Sequence, residues 1–245
     1  MGGPVALSSA AMPTRTESIA MPDGGHMAAH LCLPETGSGP GLLVLMEIFG
    51  VGSYIRRACE RLAELGYVAV APDLYRRIDP EAEFGHDEAG LQQAMAKVGQ
   101  LDLPGAIADS GVALHHLAAL PEVAGHAVGA LGFCLGGTLA YHLAAVAQPA
   151  TAVCYYGSGI ADALSAADQI DCPVLFHFGA QDGYISLADA ERVADVAAQH
   201  AGWECAIQPD GGHAFDNHDS EMFSRPEAAA QAWELTASFL ACTLH

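Results

Sequence analysis

"ALGFCLGG", residues 130–137, closes an apolar run on a cysteine set among glycines. The residues before it, "AVGALGF" (127–133), read as a strand without polar interruption, and 136–147 read as a helix. A Gly-x-Cys-x-Gly pattern between strand and helix makes a turn so tight that side chains at its flanks would clash. Cys134 would be held in strained backbone geometry, with its sulfur lifted into a cleft. The N-terminus of the next helix would point at it, so that the Leu135 N–H could receive an oxyanion. No other Gly-x-Ser/Cys-x-Gly occurs in the chain, so no serine competes for this position.

Outward from this turn the same alternation repeats. Apolar runs lie at 41–48 ("GLLVLMEI"), 67–73 ("YVAVAPD"), 151–156 ("TAVCYY") and 173–179 ("PVLFHFG"), with a weaker one at 203–208 ("WECAIQ"). Unbroken runs of this kind belong to strands buried on both faces, as in a parallel sheet covered by helices. Between them helices are expected near 87–99, 104–119, 187–200 and 227–242. An earlier one lies in "SYIRRACERLAELG", with Ser53 as N-cap, Ile55, Cys59, Leu62 and Leu65 on one stripe, and Gly66 as C-cap. Two β-like runs, 15–20 and 26–33, flank "MPDGG" and predict an antiparallel hairpin. The fold class is therefore α/β: a mostly parallel, doubly wound sheet with helices on both faces and an N-terminal hairpin. Residues 1–14 read as a flexible tail without the features of a signal peptide, and 15–245 as a single domain.

Composition narrows the function. The net charge is −20, from 29 acidic and 9 basic residues. Such a surface repels phosphate backbones and anionic lipid, which argues against nucleic-acid and membrane partners. The longest apolar stretches fall far short of the roughly 20 residues that cross a bilayer. Seven cysteines, an odd number without a C-x-x-C, suit a reducing compartment, the cytoplasm. Twelve histidines, among them His115, His116, His213 and His218, come without a tight acid–histidine cluster, so neither a metal nor a cofactor is read. The expected partner is a small molecule, and the sequence carries no signal of oligomeric state.

Ligands bind such sheets beyond the carboxyl ends of the strands. Asp182 follows the 173–179 strand, and His213, in "GGHAF", follows the 203–208 strand. Cys, Asp, His is the chain order of α/β-hydrolases, with each member in a post-strand loop. The histidine would take the thiol proton and return one to the leaving oxygen, while the aspartate fixes the imidazole tautomer. Glu47 ends the otherwise apolar "LLVLM" strand, and a carboxylate beside a thiol would keep the sulfur protonated by like-charge repulsion. Tyr155 and Tyr156, at a strand end, are candidates to line the pocket.

Taken together, "MEIFGV", "GYVAVAPDLY", "GFCLGG", "YYG", "FGAQD" and "GHAF" resemble the dienelactone hydrolase family, in that family's order and from about residue 17 onward. The resemblance implies a cofactor-free α/β-hydrolase that opens lactones through a thioester on Cys134, with Asp182 and His213. It also implies that Glu47 contacts the resting thiol and that Ile48 supplies a second oxyanion amide beside Leu135. Of the two arginines that bind a substrate carboxylate in the family, the resemblance places Arg77 at one position and Asn217 at the other. Asn217 cannot form a bidentate charged clamp, which leaves open a different lactone or a small activated ester, with Arg225 as a distant candidate. A general small-molecule carboxylesterase of the same fold is the alternative, ahead of a non-catalytic redox-sensing thiol protein.

Overall fold

The computed structural model describes residues 12–245, so residues 1–11 of the expected tail lie outside the described residues. Strands β1 (Thr14–Ala20) and β2 (His26–Cys32) pair antiparallel across a turn in which the Met21 amide donates to the Gly25 carbonyl. β1 starts at Thr14, and Met12 already packs on the core. Then follow β3 (Gly39–Leu45), α1 (Ser53–Glu64), β4 (Val68–Pro72), α2 (Glu88–Val98), α3 (Leu103–Ala119), β5 (Val123–Phe133) and α4 (Leu135–Ala147). The chain ends with β6 (Ala152–Tyr155), two short 3-10 turns at 160–169, β7 (Val174–Gly179), α5 (Leu187–Ala197), β8 (Trp203–Gln208) and α6 (Pro226–Thr243).

The eight strands form one sheet in the order β1-β2-β4-β3-β5-β6-β7-β8. β2 meets β4 antiparallel, and every pairing from β4 to β8 is parallel. All residues of β4, β6 and β7 are buried, which is why these segments read as continuous apolar runs. Both faces carry helices. On β7, Phe176 packs toward Tyr141 of α4 while the next residue, His177, bonds to Thr236 of α6 at 2.9 Å. Successive strand side chains point to opposite faces, so α4 and α6 lie on opposite sides of the sheet. α3 packs with α4, and α1 joins α6 through Arg61, which sits 3.6 Å above the Trp233 ring.

The first helix differs from its sequence reading. Gly52 is the N-cap, and Ser53 is the first helical residue because its hydroxyl is drawn to the Asp219 carboxylate. Ile55, Cys59 and Leu62 form the buried stripe, but Leu65 is the C-cap and is exposed. Gly66 follows at φ +98°, the left-handed conformation that ends helices on glycine. Among the described residues no helix is long and apolar enough to cross a membrane.

Candidate active site

Cys134 joins β5 to α4 at φ 53° and ψ −114°, a backbone conformation that a non-glycine residue adopts only under constraint. The constraint comes from close packing of three glycines. A Cβ on Gly132 would lie 2.0 Å from the Gly136 carbonyl oxygen, one on Gly136 would lie 2.0 Å from that of Leu45, and one on Gly137 would lie 2.4 Å from that of Tyr155. The Cys134 amide donates to the Tyr155 carbonyl at 3.0 Å, tying the turn to the neighbouring strand. α4 starts at the next residue, which sets the first turn of the helix, with its unpaired N–H groups, directly after Cys134.

The loops after β7 and β8 bring the other two residues to that sulfur. His213 Nε2 lies 3.1 Å from Cys134 Sγ, and His213 Nδ1 lies 2.8 Å from Asp182 Oδ2. The other Asp182 oxygen accepts the backbone amides of Tyr184 at 2.7 Å and Ile185 at 3.0 Å, which fixes the fully buried carboxylate. Burial opposes charge on His213, but hydrogen bonds and charge from Asp182 and Cys134 outweigh it and raise its pKa to about 10. The His213 loop is anchored three residues later, where Asp216 accepts from Tyr54 Oη at 2.8 Å and from Arg61 at 3.1 Å.

Glu47 is buried just past the end of β3. Its Oε1 accepts from Asn217 Nδ2 at 3.0 Å and from His86 Nε2 at 2.9 Å, and its Oε2 accepts from the same Asn217 at 3.2 Å. Burial raises the Glu47 pKa, against the hydrogen bonds of His86 and Asn217 and the charge of His213. In this conformation the hydrogen bonds of Glu47 go to Asn217 and His86, while the thiol faces His213.

Glu47, Ile48, Cys134, Leu135 and His213 line one cavity of about 340 Å³. Its remaining wall is mainly apolar: Phe49, Leu91, Met95, Val98, Leu103 and Phe223. Tyr184 flanks the mouth, 59% exposed, with its ring 4.9 Å from that of His213.

Five candidate substrate contacts do not line this cavity. Arg77 donates to the two Asp109 oxygens at 3.0 and 2.8 Å, and a carboxylate of α3 thus holds it away from the cavity. Asn217 is fully buried and spends its amide on Glu47. Tyr155 bonds to Thr236 at 2.7 Å and Tyr156 to Tyr54 at 3.2 Å, both within the core. Arg225 turns to the carbonyls of Met222, Phe223 and Ser224. His86 and the α2 residues Leu91 and Met95 were missed. His86 stands in "FGHDEAG" without a recognisable motif, and α2 has little apolar periodicity to mark an inner face.

A model of the dienelactone hydrolase family matches residues 27–244. The chain is 35% identical over 230 residues to a carboxymethylenebutenolidase of Pseudomonas sp. strain P51, covering 94% of this chain and 95% of that one. It is 31% identical over 231 residues to a carboxymethylenebutenolidase of Pseudomonas putida, covering 94% and 97%. The crystal structure of a dienelactone hydrolase from Anabaena variabilis shares the fold at a TM-score of 0.70 and 19% identity, over 96% of this chain and 100% of that one.

Proposed function

The chain belongs to the dienelactone hydrolase family, and from that premise we propose that it hydrolyses a lactone or small ester through a thioester on Cys134. The observation that carries this reading is the continuous line of hydrogen bonds from Cys134 Sγ through His213 to Asp182 on the wall of the cavity. Asp182 accepts from Nδ1 and stabilises the imidazolium that forms as the thiol proton passes to Nε2. The sulfur attacks the acyl carbon, and the resulting oxyanion is received by the amides of Leu135 and Ile48. The tetrahedral intermediate collapses with loss of an alkoxide, which takes the proton from His213 Nε2. In a lactone the leaving oxygen stays tethered to the acyl chain. Water then attacks the thioester, giving its proton to His213, and the thiol leaves with that proton as the acid is released.

The steps use side chains, backbone amides and water. The seven cysteines are free thiols, which supports a reducing compartment such as the cytoplasm. The test is acid quenching during turnover of p-nitrophenyl acetate, followed by peptide mass spectrometry. An acetyl group on the Cys134 peptide, absent from Cys134→Ala, is expected. Full hydrolysis by a folded Cys134→Ala variant would remove the proposal.

A further inference from the structure

We infer that the cavity takes esters and lactones whose acyl portion is uncharged and apolar, and rejects those carrying a carboxylate, with Leu91 and Met95 of α2 setting this preference. The inference rests on the hydrolytic reading of the same site.

It follows from where the positive charge of the molecule goes. The chain has nine Lys and Arg residues, all within the described region, and none of them lines the cavity. Eight hold carboxylates elsewhere. Arg77 is taken by Asp109, and the ninth, Arg225, by backbone carbonyls. Lys97 is the closest in sequence to the wall, on the same helix as Met95, but its ammonium lies 2.8 Å from Asp79.

The polar groups that remain cannot take the place of a cation. Thr138 Oγ1 already donates to the Ser158 carbonyl at 2.8 Å, and the Ser158 and Tyr184 hydroxyls on the wall carry no charge. His213 carries a raised pKa, but both ring nitrogens are committed, Nδ1 to Asp182 and Nε2 to the sulfur, so its charge is paired there. The carboxylate that does line the cavity, Glu47, would repel an anionic acyl group. A substrate carboxylate would therefore lose its hydration against Leu91, Met95, Val98 and Phe223 without gaining a counter-charge, which is strongly unfavourable. An alkyl chain meets the same wall with only favourable burial.

The experiment compares two esters of nearly equal size and leaving group, p-nitrophenyl pentanoate and the mono-p-nitrophenyl ester of glutaric acid, at pH 7. Each kcat/KM is divided by the hydroxide-catalysed rate of the same ester. The neutral ester is expected to be favoured by at least about 100-fold, the scale set by an unpaired, desolvated carboxylate. Met95→Arg, at a half-exposed rim position where the fold tolerates a long side chain, should raise the rate on the glutarate ester and narrow the gap about tenfold. Equal or faster turnover of the glutarate ester, lost in Cys134→Ala, overturns the substrate class and leaves the hydrolytic reading standing. A preference that Met95→Arg does not change removes the role given to α2. Hydrolysis of both esters that persists in Cys134→Ala takes away the hydrolytic reading, and the substrate class with it.

Discussion

Replacing Asp182 by Asn changes one atom of the side chain and should disable the proposed reaction through the histidine tautomer. Oδ1 accepts two backbone amides, from Tyr184 at 2.7 Å and Ile185 at 3.0 Å, so the Asn oxygen must stay there. The Asn NH2 then replaces Oδ2, 2.8 Å from His213 Nδ1. A donor facing Nδ1–H is repulsive, so the imidazole moves its proton to Nε2, the nitrogen 3.1 Å from Cys134 Sγ. It can then no longer accept the thiol proton. Asp182, together with Cys134, raises the His213 pKa, so its loss also weakens the imidazole as a base. The same replacement in serine triads lowers kcat about 10⁴-fold. A loss of roughly 10³- to 10⁴-fold in kcat is therefore expected, with an unchanged far-ultraviolet circular dichroism spectrum. Steady-state hydrolysis of a p-nitrophenyl ester measures it. A folded Asp182→Asn variant that keeps a tenth or more of the activity would refute the tautomer argument.

Glu47→Gln can keep the two shorter bonds on Oε1 while removing a buried negative charge from the cavity, so iodoacetamide should alkylate Cys134 several-fold faster in the absence of substrate. An unchanged or slower rate, read by peptide mass spectrometry, counts against Glu47 as a brake on the thiolate. Gly136→Ala puts a Cβ 2.0 Å from the Leu45 carbonyl oxygen, an overpacking cost of about 1–3 kcal/mol that should lower Tm by roughly 2–12 °C and impair turnover. Wild-type melting and activity in that variant would show that the turn has more room than its geometry indicates. The raised His213 pKa also has a sign in stability: between its ordinary value and about 10 the folded protein binds the extra proton. The stabilisation is thus complete below about pH 6.5 and is lost as pH rises toward 10. Urea midpoints at pH 6 and pH 9.5 should fall further in the parent protein than in His213→Gln, and equal falls would contradict the linkage.

The parts of the fold and site that sequence conveys are those fixed by local exclusion. Gly132, Gly136 and Gly137 each leave no room for a Cβ, so the strand–turn–helix is written into consecutive letters. The fully buried strands β4, β6 and β7 announce themselves in the same way, because both faces are packed almost wholly with apolar side chains, His177 being accommodated by its bond to Thr236. Direction and partnership are less visible. Arg77 stands at the expected strand end, but its guanidinium is captured by Asp109, 32 residues away in sequence. Tyr155 and Tyr156 also end a strand. Phe133, His213 and Phe215 enclose the Tyr156 ring, so it supports the site from behind instead of lining it. Asn217 was read as a weakened substrate contact because of its place after the histidine. Its partner Glu47 is 170 residues distant, and no spacing rule connects them. The cavity wall from α2 escaped for a related reason. That helix buries only Gly90 and Ala94, and its larger apolar residues serve a cavity instead of a packed interface.

A cavity without lysine or arginine on a strongly acidic protein also bears on the end of the proposed reaction. An uncharged ester enters without electrostatic opposition, since neither the net charge of −20 nor the Glu47 carboxylate acts on it at long range. Hydrolysis converts the acyl group into a carboxylate in place. The new anion then has Glu47 beside it, no arginine or lysine to pair with, and an apolar wall that cannot solvate it. Every term that makes an anionic substrate a poor ligand therefore acts on the product. Binding and release are separated by the charge that the chemistry itself creates, so the acid should be a weak inhibitor. Pentanoate at concentrations well above the KM of the pentanoate ester is expected to leave its hydrolysis nearly unchanged, whereas pentanol, neutral and of similar length, should compete. Tight competitive inhibition by pentanoate would mean that a counter-charge reaches the cavity during turnover. In that case the cation inventory of the resting protein would no longer describe the working one.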